Sequence, residues 1–435
     1  MLGGINYKNG VISTCPRQAD QLVYQHETYL PSELFNHSNF KRAREKLYND
    51  EFPAGCSTCK EMEDINNKSM RLDFALDKQN NFYRPVMTTD GTIDYSRGDY
   101  EEGLMKCYDP LTHETTFEGL RHLEFRFSSA CNFACLHCSE VFSSGWTAKL
   151  KKYEPDEEDK FLDIRQLLGT EHRHGPNDKN EMGLTTEQSL EICEDLIENF
   201  PNLRWIDFAG GELLYQKQFF PTLRKLAEHP NAKNMHISFH TNFNAKFSVE
   251  ELSAVLEPFG ESAIIISVDA GRSFYSYFRY GGKWEQLVKN IKEFKLINNY
   301  TYMTVTCTAS IYQMLDIYDV MDSFLELDCE FDASLVQSPK YLDPSLIFLE
   351  FEKETNKDLE RTEQLLQKHK QYKSLYWFKY IVDYAKNYKP VYRDYMRWLV
   401  YRRKSDMLWN QHFNDYFKNY KINEQNDLIR VNDGN

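Results

Sequence analysis

Between residues 118 and 340 the hydrophobic pattern alternates between a period of two and a period near 3.6. Residues 121–130 set apolar Leu123, Phe125 and Phe127 against polar His122, Glu124, Arg126 and Ser128, the signature of a strand with one buried face. Further strands are predicted at 203–209, 236–242, 263–269, 303–308 and 330–336. Helical stretches separate them. One opens on Thr185-Thr-Glu-Gln188, a capping box, and repeats Cys193, Leu196, Ile197 and Phe200 on one face. Strands alternating with helices argue an α/β architecture with parallel strands. The count predicts a partial (β/α)6 TIM-like barrel whose ligands bind at the C-terminal strand ends. In the third strand the phase places His236, Ser238, His240 and Asn242 on one face, which favours a polar lumen.

The flanks read differently. Residues 1–107 form a first region, with a turn at Asn9-Gly10 and a hairpin-like run Gly10–Cys15. A helix over 35–47 follows, with Phe40, Ala43 and Leu47 on one face, and Pro53-Ala-Gly55 ends it. Residues 76–117 are polar, carry Asp90-Gly91 and Arg97-Gly98 turn signals, and read as a linker. An insertion at 151–183 is too polar for the core and reads as a cap or a solvated loop. A third region, 341–435, is helical, with Tyr395, Met396, Leu399 and Val400 on one stripe.

Composition narrows the classes. The 435 residues carry 52 Lys and Arg against 66 Asp and Glu, a net charge of −14, which disfavours a phosphate-backbone partner. The mixture of Tyr392, Arg393, Trp398, Tyr401, Arg402 and Arg403 reads as packing against a neighbouring domain rather than a nucleic-acid surface. No signal peptide and no apolar run of eighteen residues is evident, so a cytoplasmic protein is expected, not a membrane protein. The ten cysteines are grouped, as metal or cluster ligands are in a reducing compartment.

The densest group is Cys131-x₃-Cys135-x₂-Cys138, directly after the first barrel strand. Three thiolates on one loop can hold three corners of a [4Fe–4S] cube and leave one iron open to a small ligand. Half of a zinc site and buried core thiols are the alternatives on spacing alone. Gly210-Gly211-Glu212 ends the second strand, where two glycines permit close backbone approach and a carboxylate can accept from an ammonium. In the first region Cys15, Cys56 and Cys59 suggest a second site, with a small zinc knot as the alternative. Cys193 and Cys307 read as core, and Cys107 as either a ligand or a buried thiol.

In this order the motifs resemble those of the radical S-adenosylmethionine (SAM) superfamily. Its C-x₃-C-x-φ-C signature is matched by Cys131, Cys135, His137 at the φ position, and Cys138. The resemblance implies that Gly210, Gly211 and Glu212 grip SAM's amino group, although Leu213 stands where the family usually has proline. Thr241-Asn242 is similar to the family's Thr-Asn. Ser267 and Asp269 would meet the SAM ribose or carboxylate, and Arg279 would pair with the carboxylate.

Gly10…Cys15 and Cys56/Cys59 resemble the twitch or SPASM-like module that holds an auxiliary [4Fe–4S] cluster. That family's first cysteine is missing here, which leaves three readings: Cys107 is the fourth ligand, the second cluster keeps an open iron, or the gene start is truncated. The implied activity is that of an oxidoreductase-type enzyme. A reduced cluster cleaves SAM, and the 5′-deoxyadenosyl radical abstracts hydrogen from a small molecule or peptide. Electrons would come from a flavodoxin or ferredoxin. The absence of an evident peptide-recognition motif slightly favours a small molecule. The competing classes are a non-catalytic iron–sulfur carrier or scaffold and an RNA-modifying relative.

Overall fold

The computed structural model describes residues 27–49, 106–153, 183–336 and 338–431. It also describes short pieces at 4–8, 11–13, 23–24, 51–53, 56, 60, 86–87, 93–94, 164 and 167.

The six expected strands are present: β6 (His122–Phe125), β8 (Trp205–Phe208), β9 (His236–Thr241), β10 (Glu261–Ser267), β12 (Tyr302–Ala309) and β13 (Glu330–Leu335). They lie side by side in chain order, and every neighbouring pair among them is parallel. Side-chain alternation gives the sheet two unlike faces. Leu123, Phe125, Ile206, Phe208, Ile237, Phe239, Ile264, Ile266, Val305 and Phe331 are buried. The opposite face carries His122, Asp207, His236, His240 and Asp332, partly or fully open to solvent. Helices return the chain between strands. The one over Thr186–Asn199 starts at the predicted capping box, with Thr185 and Gln188 each bonding the other's backbone. Cys193 and Cys307 are core residues, as expected.

The sheet does not stop at β6. β1 (Gly4–Lys8) pairs parallel to it, Ile5 opposite Leu123, and β2 (Val11–Ser13) and β3 (Val23–Tyr24) continue antiparallel to give nine strands. Lys8 pairs with Val11, and the turn expected at Asn9-Gly10 lies outside the described residues. The helix expected over 35–47 spans Ser38–Tyr48, preceded by a short one at Pro31–Leu34. This segment docks on the helix over Thr186–Asn199: Ser32 N–H donates to Asp195 (2.8 Å) and Phe35 meets Phe200 edge to face.

In the stretch read as a linker, β4 (Val86–Met87) and β5 (Ile93–Asp94) pair antiparallel. Residues 106–119 also fold back on the first region: the buried Arg44 guanidinium donates to Asn36 and to His113 O. Most of the insertion at 151–183 lies outside the described residues. Its Ile164 and Leu167 are buried, however, so it contributes apolar side chains to the core as well as polar surface.

The C-terminal region is helical as expected, over Phe348–Lys368, Tyr372–Asn387 and Tyr392–Trp409. It ends in a hairpin of β14 (Tyr420–Ile422) and β15 (Leu428–Arg430), which the sequence reading had not marked. In the third helix Trp398, Tyr401 and Arg402 are buried, and Arg402 bonds Asp406 at 2.7 Å. These residues pack the core. No helix among the described residues is long and apolar enough to cross a membrane.

Candidate functional site

The cysteine loop leaves the C-terminal end of β6. It is fixed by bonds to its own backbone before any ligand is considered. The Ser144 hydroxyl accepts from Cys131 N–H (3.0 Å) and lies 3.2 Å from Cys131 O. Phe133 N–H points at the Cys131 sulfur (3.4 Å), and Cys138 N–H donates to Cys135 O (3.0 Å). A two-residue strand, β7 (Ala134–Cys135), pairs antiparallel with β11 (Arg279–Tyr280), placing Arg279 opposite Cys135. Leu136 N–H donates to Phe278 O (2.9 Å), and the buried Trp146 indole to Cys135 O (2.8 Å). From the C-terminal helix, the Tyr401 hydroxyl donates to Leu136 O (2.6 Å).

The Gly-Gly-Glu turn lies against the strand-to-loop junction. Gly210 and Gly211 adopt positive φ of 85° and 58°. A Cβ at Gly211 would fall 2.3 Å from Ala130 O, so only glycine fits this approach. Glu212 N–H donates to that same Ala130 O (2.9 Å). Gln216 completes the junction. Its amide donates to Ser128 O (3.3 Å), Ala130 O (3.1 Å) and Gly210 O (3.0 Å), and its carbonyl accepts from the Ser128 hydroxyl (3.1 Å).

Glu212 is almost fully buried, at 1% exposure. Its carboxylate accepts from the Thr241 hydroxyl (2.5 Å), Asn242 N–H (2.6 Å) and Leu214 N–H (3.1 Å). Burial pushes its pKa up against those three donors. A carboxylate has about four lone-pair sites, so roughly one acceptor position remains for an ammonium. The Asn242 amide donates to Asn132 Oδ1 (2.9 Å), which ties the end of β9 to the cysteine loop.

Asp269, just past β10, has φ 57° and is buried. Its Oδ2 accepts from Arg279 Nε (3.0 Å) and Nη2 (2.6 Å), while Thr308 N–H donates to Oδ1 (2.7 Å). Burial opposes ionisation of this carboxyl, but Arg279 beside it holds its pKa below the ordinary value. The third arm of Arg279, Nη1, points at the Cys135 sulfur (3.5 Å). His137 stacks on Phe278 with its Nε2 3.6 Å from Asp269, and its Nδ1 is buried without a partner.

All three thiols are free. Burial pushes their pKa values up, that of Cys138 to about 12, with Arg279 acting the other way. Thiols in this setting ionise when a metal takes up the charge. Among the described residues no group of three Cys, His, Asp or Glu side chains forms a site for a single metal ion. A cube of iron and sulfide attaches each thiolate to a different iron, so three cysteines on one rigid loop fit a cluster better than a lone ion.

Cys131, Cys135, His137, Cys138, Gly210, Gly211, Glu212, Asn242, Asp269 and Arg279 are thus joined in one network, and Ser267 sits at the end of β10 beside it. The N-terminal cysteines are less complete. Cys56 is buried and Cys107 half-buried beside Gly119, while Cys15 and Cys59 lie outside the described residues. Sequence reasoning missed Asn132, Trp146, Gln216 and Tyr401. Asn132 lies between the first two cysteines without being a motif position, the other three stand in no motif, and the 88-residue and 265-residue separations of the Gln216 and Tyr401 bonds leave no local signal.

No sequence profile of a known family matches this chain, and no curated protein matches it. Among solved structures, native anSMEcpe with bound AdoMet is 16% identical over 57% of this chain, with a TM-score of 0.34. The match spans 59% of that protein's length. Streptococcus suis SuiB bound to precursor peptide SuiA is 13% identical over 80% of this chain and 67% of that one, with a TM-score of 0.37. SuiB bound to S-adenosylmethionine is 12% identical over 84% and 66%, with a TM-score of 0.32. Likeness at this level carries no argument about activity.

Proposed function

We propose that this protein is a radical SAM enzyme. The reading rests on one convergence: a three-thiol loop, a buried Glu212 and an Asp269–Arg279 pair follow three different strands and meet at one end of a parallel sheet. Cys131, Cys135 and Cys138 would hold a [4Fe–4S] cluster and Glu212 the ammonium of SAM; together these groups supply one-electron cleavage of the sulfonium to methionine and a hydrogen-abstracting 5′-deoxyadenosyl radical.

The chain's own part is orientation and exclusion of water. Arg279 faces Cys135 and compensates negative charge gathered on the sulfurs, in addition to its bond with Asp269. In this arrangement Arg279 would approach the SAM carboxylate only with donors left over from Asp269 and Cys135. Phe278, Trp146 and Tyr401 close the protein side of the loop. A non-catalytic cluster carrier has no use for Glu212 or for the Asp269–Arg279 pair.

A second cluster on Cys15, Cys56 and Cys59, with Cys107 as fourth ligand or an open iron, belongs to the same reading. It is supported by the cysteine spacing. The partial barrel, the reductant (a flavodoxin or ferredoxin) and a small-molecule or peptide substrate are further parts of the proposal.

Anaerobic reconstitution tests the cluster part. Roughly eight irons per chain are expected, falling to about four when Cys131, Cys135 and Cys138 are all replaced by Ala. One zinc and no iron at the N-terminal cysteines would reduce that region to a structural knot.

A further inference from the structure

The three thiols of the loop have unlike surroundings. Cys131 Sγ faces a neutral backbone amide, Phe133 N–H at 3.4 Å. The Cys138 thiol points at Ser139 O, 3.7 Å away. Cys135 Sγ instead meets a full positive charge, Arg279 Nη1 at 3.5 Å. Arg279 is also the cation whose charge reaches all three thiols, against Asp269 on Cys135 and Cys138 and Glu212 on Cys131.

The fold fixes this approach from both sides. β7 and β11 set Arg279 opposite Cys135, and Leu136 N–H donates to Phe278 O, so backbone bonds hold the two segments together. Behind the guanidinium, Asp269 Oδ2 accepts from Nε at 3.0 Å and from Nη2 at 2.6 Å. Asp269 is anchored in turn, because Thr308 N–H donates to its Oδ1 at 2.7 Å and the Gln313 amide to its backbone O. The two side chains are 6% and 2% exposed. Carboxylate, guanidinium and sulfur thus form a fixed, buried chain, alternating in charge once Cys135 is ionised.

A cation held beside a ligand sulfur alters the energy of adding an electron to the metal group that the sulfur carries. Reduction makes that group more negative, and a charge-assisted bond to the sulfur strengthens with it. Net charge and hydrogen bonds to the sulfurs are means by which a protein sets a cluster's potential. Burial keeps salt and water from screening the effect. Asp269 works the other way, since its negative charge partly cancels that of Arg279 at the sulfur.

We propose that Arg279 and Asp269 set the reduction potential of the loop cluster, Arg279 raising it through the Cys135 sulfur and Asp269 limiting that rise. The inference rests on the radical SAM reading, since it takes the cluster on Cys131, Cys135 and Cys138 as given. The step concerned is the uptake of one electron, [4Fe–4S]2+ to [4Fe–4S]1+, from a donor of the flavodoxin or ferredoxin class, which is itself oxidised by one electron. No bond breaks, and Arg279 keeps its protons throughout.

The test is a redox titration, followed by electron paramagnetic resonance, of full-length protein reconstituted anaerobically with iron and sulfide, without SAM. The signal absent from the Cys131/Cys135/Cys138 triple Ala variant belongs to the loop cluster. Arg279→Gln removes the cation and should lower the reduction equilibrium constant about tenfold or more, which is about 59 mV for one electron. Asp269→Asn removes the opposing charge and should raise the potential; Asn tolerates the φ of 57° at this position. Arg279→Lys keeps the charge but not the fork, and should fall between wild type and Arg279→Gln. A pair with a structural role only would shift both neutral variants in the same direction. Shifts of the same sign, or iron-replete variants at the wild-type potential, overturn the inference. If Arg279→Gln loses its iron, Asp269→Asn decides, and a potential at or below that of wild type overturns it. Wild-type protein that assembles no cluster on the loop would refute the radical SAM reading and the inference with it.

Discussion

Arg279 and Asp269 form a buried ion pair whose remaining arm reaches the Cys135 sulfur, with Nε and Nη2 at 3.0 and 2.6 Å from one carboxylate oxygen and Nη1 at 3.5 Å from the thiol. Removing the cation leaves Asp269 buried and unpaired. Arg279→Met is therefore expected to lower stability by about 3–5 kcal/mol. Arg279→Lys should recover only part of this, because an ammonium cannot span both partners. Urea unfolding of the two variants checks the order; equal, small losses would mean that the pair is not structurally important.

Gln216 offers a second handle on the same architecture. Gln216→Glu keeps the shape but removes the donors to Ser128 O, Ala130 O and Gly210 O. Leaving these carbonyls unpaired should cost about 1–3 kcal/mol or more, given the added charge. SAM binding should weaken with it, whereas iron content should hold, because the Cys131–Cys138 loop keeps its own bonds. A variant with normal SAM affinity would separate the junction from ligand binding.

Gly211→Ala probes the turn by sterics. The new methyl would sit 2.3 Å from Ala130 O at a φ of 58°. The backbone must shift, at a cost of about 1–3 kcal/mol or more, and Glu212 moves with it. Unfolding midpoint and SAM affinity should both fall; a change in neither contradicts the assigned geometry.

How much of this was legible beforehand follows from the range of each interaction. Period-two alternation located all six parallel strands, because each has one face against helices and one polar face. The same logic recovered the capping box at Thr185, the core positions of Cys193 and Cys307, and the C-terminal helices. It did not reveal that Gly4–Lys8 joins β6 in parallel, because a five-residue strand of mixed polarity carries no mark of its partner. Polarity averaged over 151–183 hid Ile164 and Leu167. Within the site, motif residues were legible from spacing. The internal partner of Arg279 was not, since it depends on how Asp269 turns after β10, and neither were Gln216 and Tyr401, which act across long sequence separations.

Away from the site, Asp316 predicts a pH effect on stability. Burial, reinforced by Asp319, pushes its carboxyl from 3.8 to about 6. The folded protein then binds a proton that the unfolded chain releases, so stability falls as pH rises from about 4 to about 6 and stays lower above. The rise from 3.8 to about 6 corresponds to about 3 kcal/mol at most. Asp316→Asn should remove this pH dependence and stabilise the protein at pH 7. Denaturant melts of both proteins between pH 4 and 7 check it, and parallel curves would contradict it.

The most direct measurement is SAM turnover. Protein reconstituted with iron and sulfide under anaerobic conditions is mixed with SAM and dithionite, and 5′-deoxyadenosine is quantified by chromatography. The account predicts 5′-deoxyadenosine from the wild-type chain, none from the Cys131/Cys135/Cys138 triple Ala variant, and much less from Glu212→Gln at limiting SAM. Wild-type protein with a full cluster complement that leaves SAM intact, or a triple variant that cleaves it undiminished, would contradict the account.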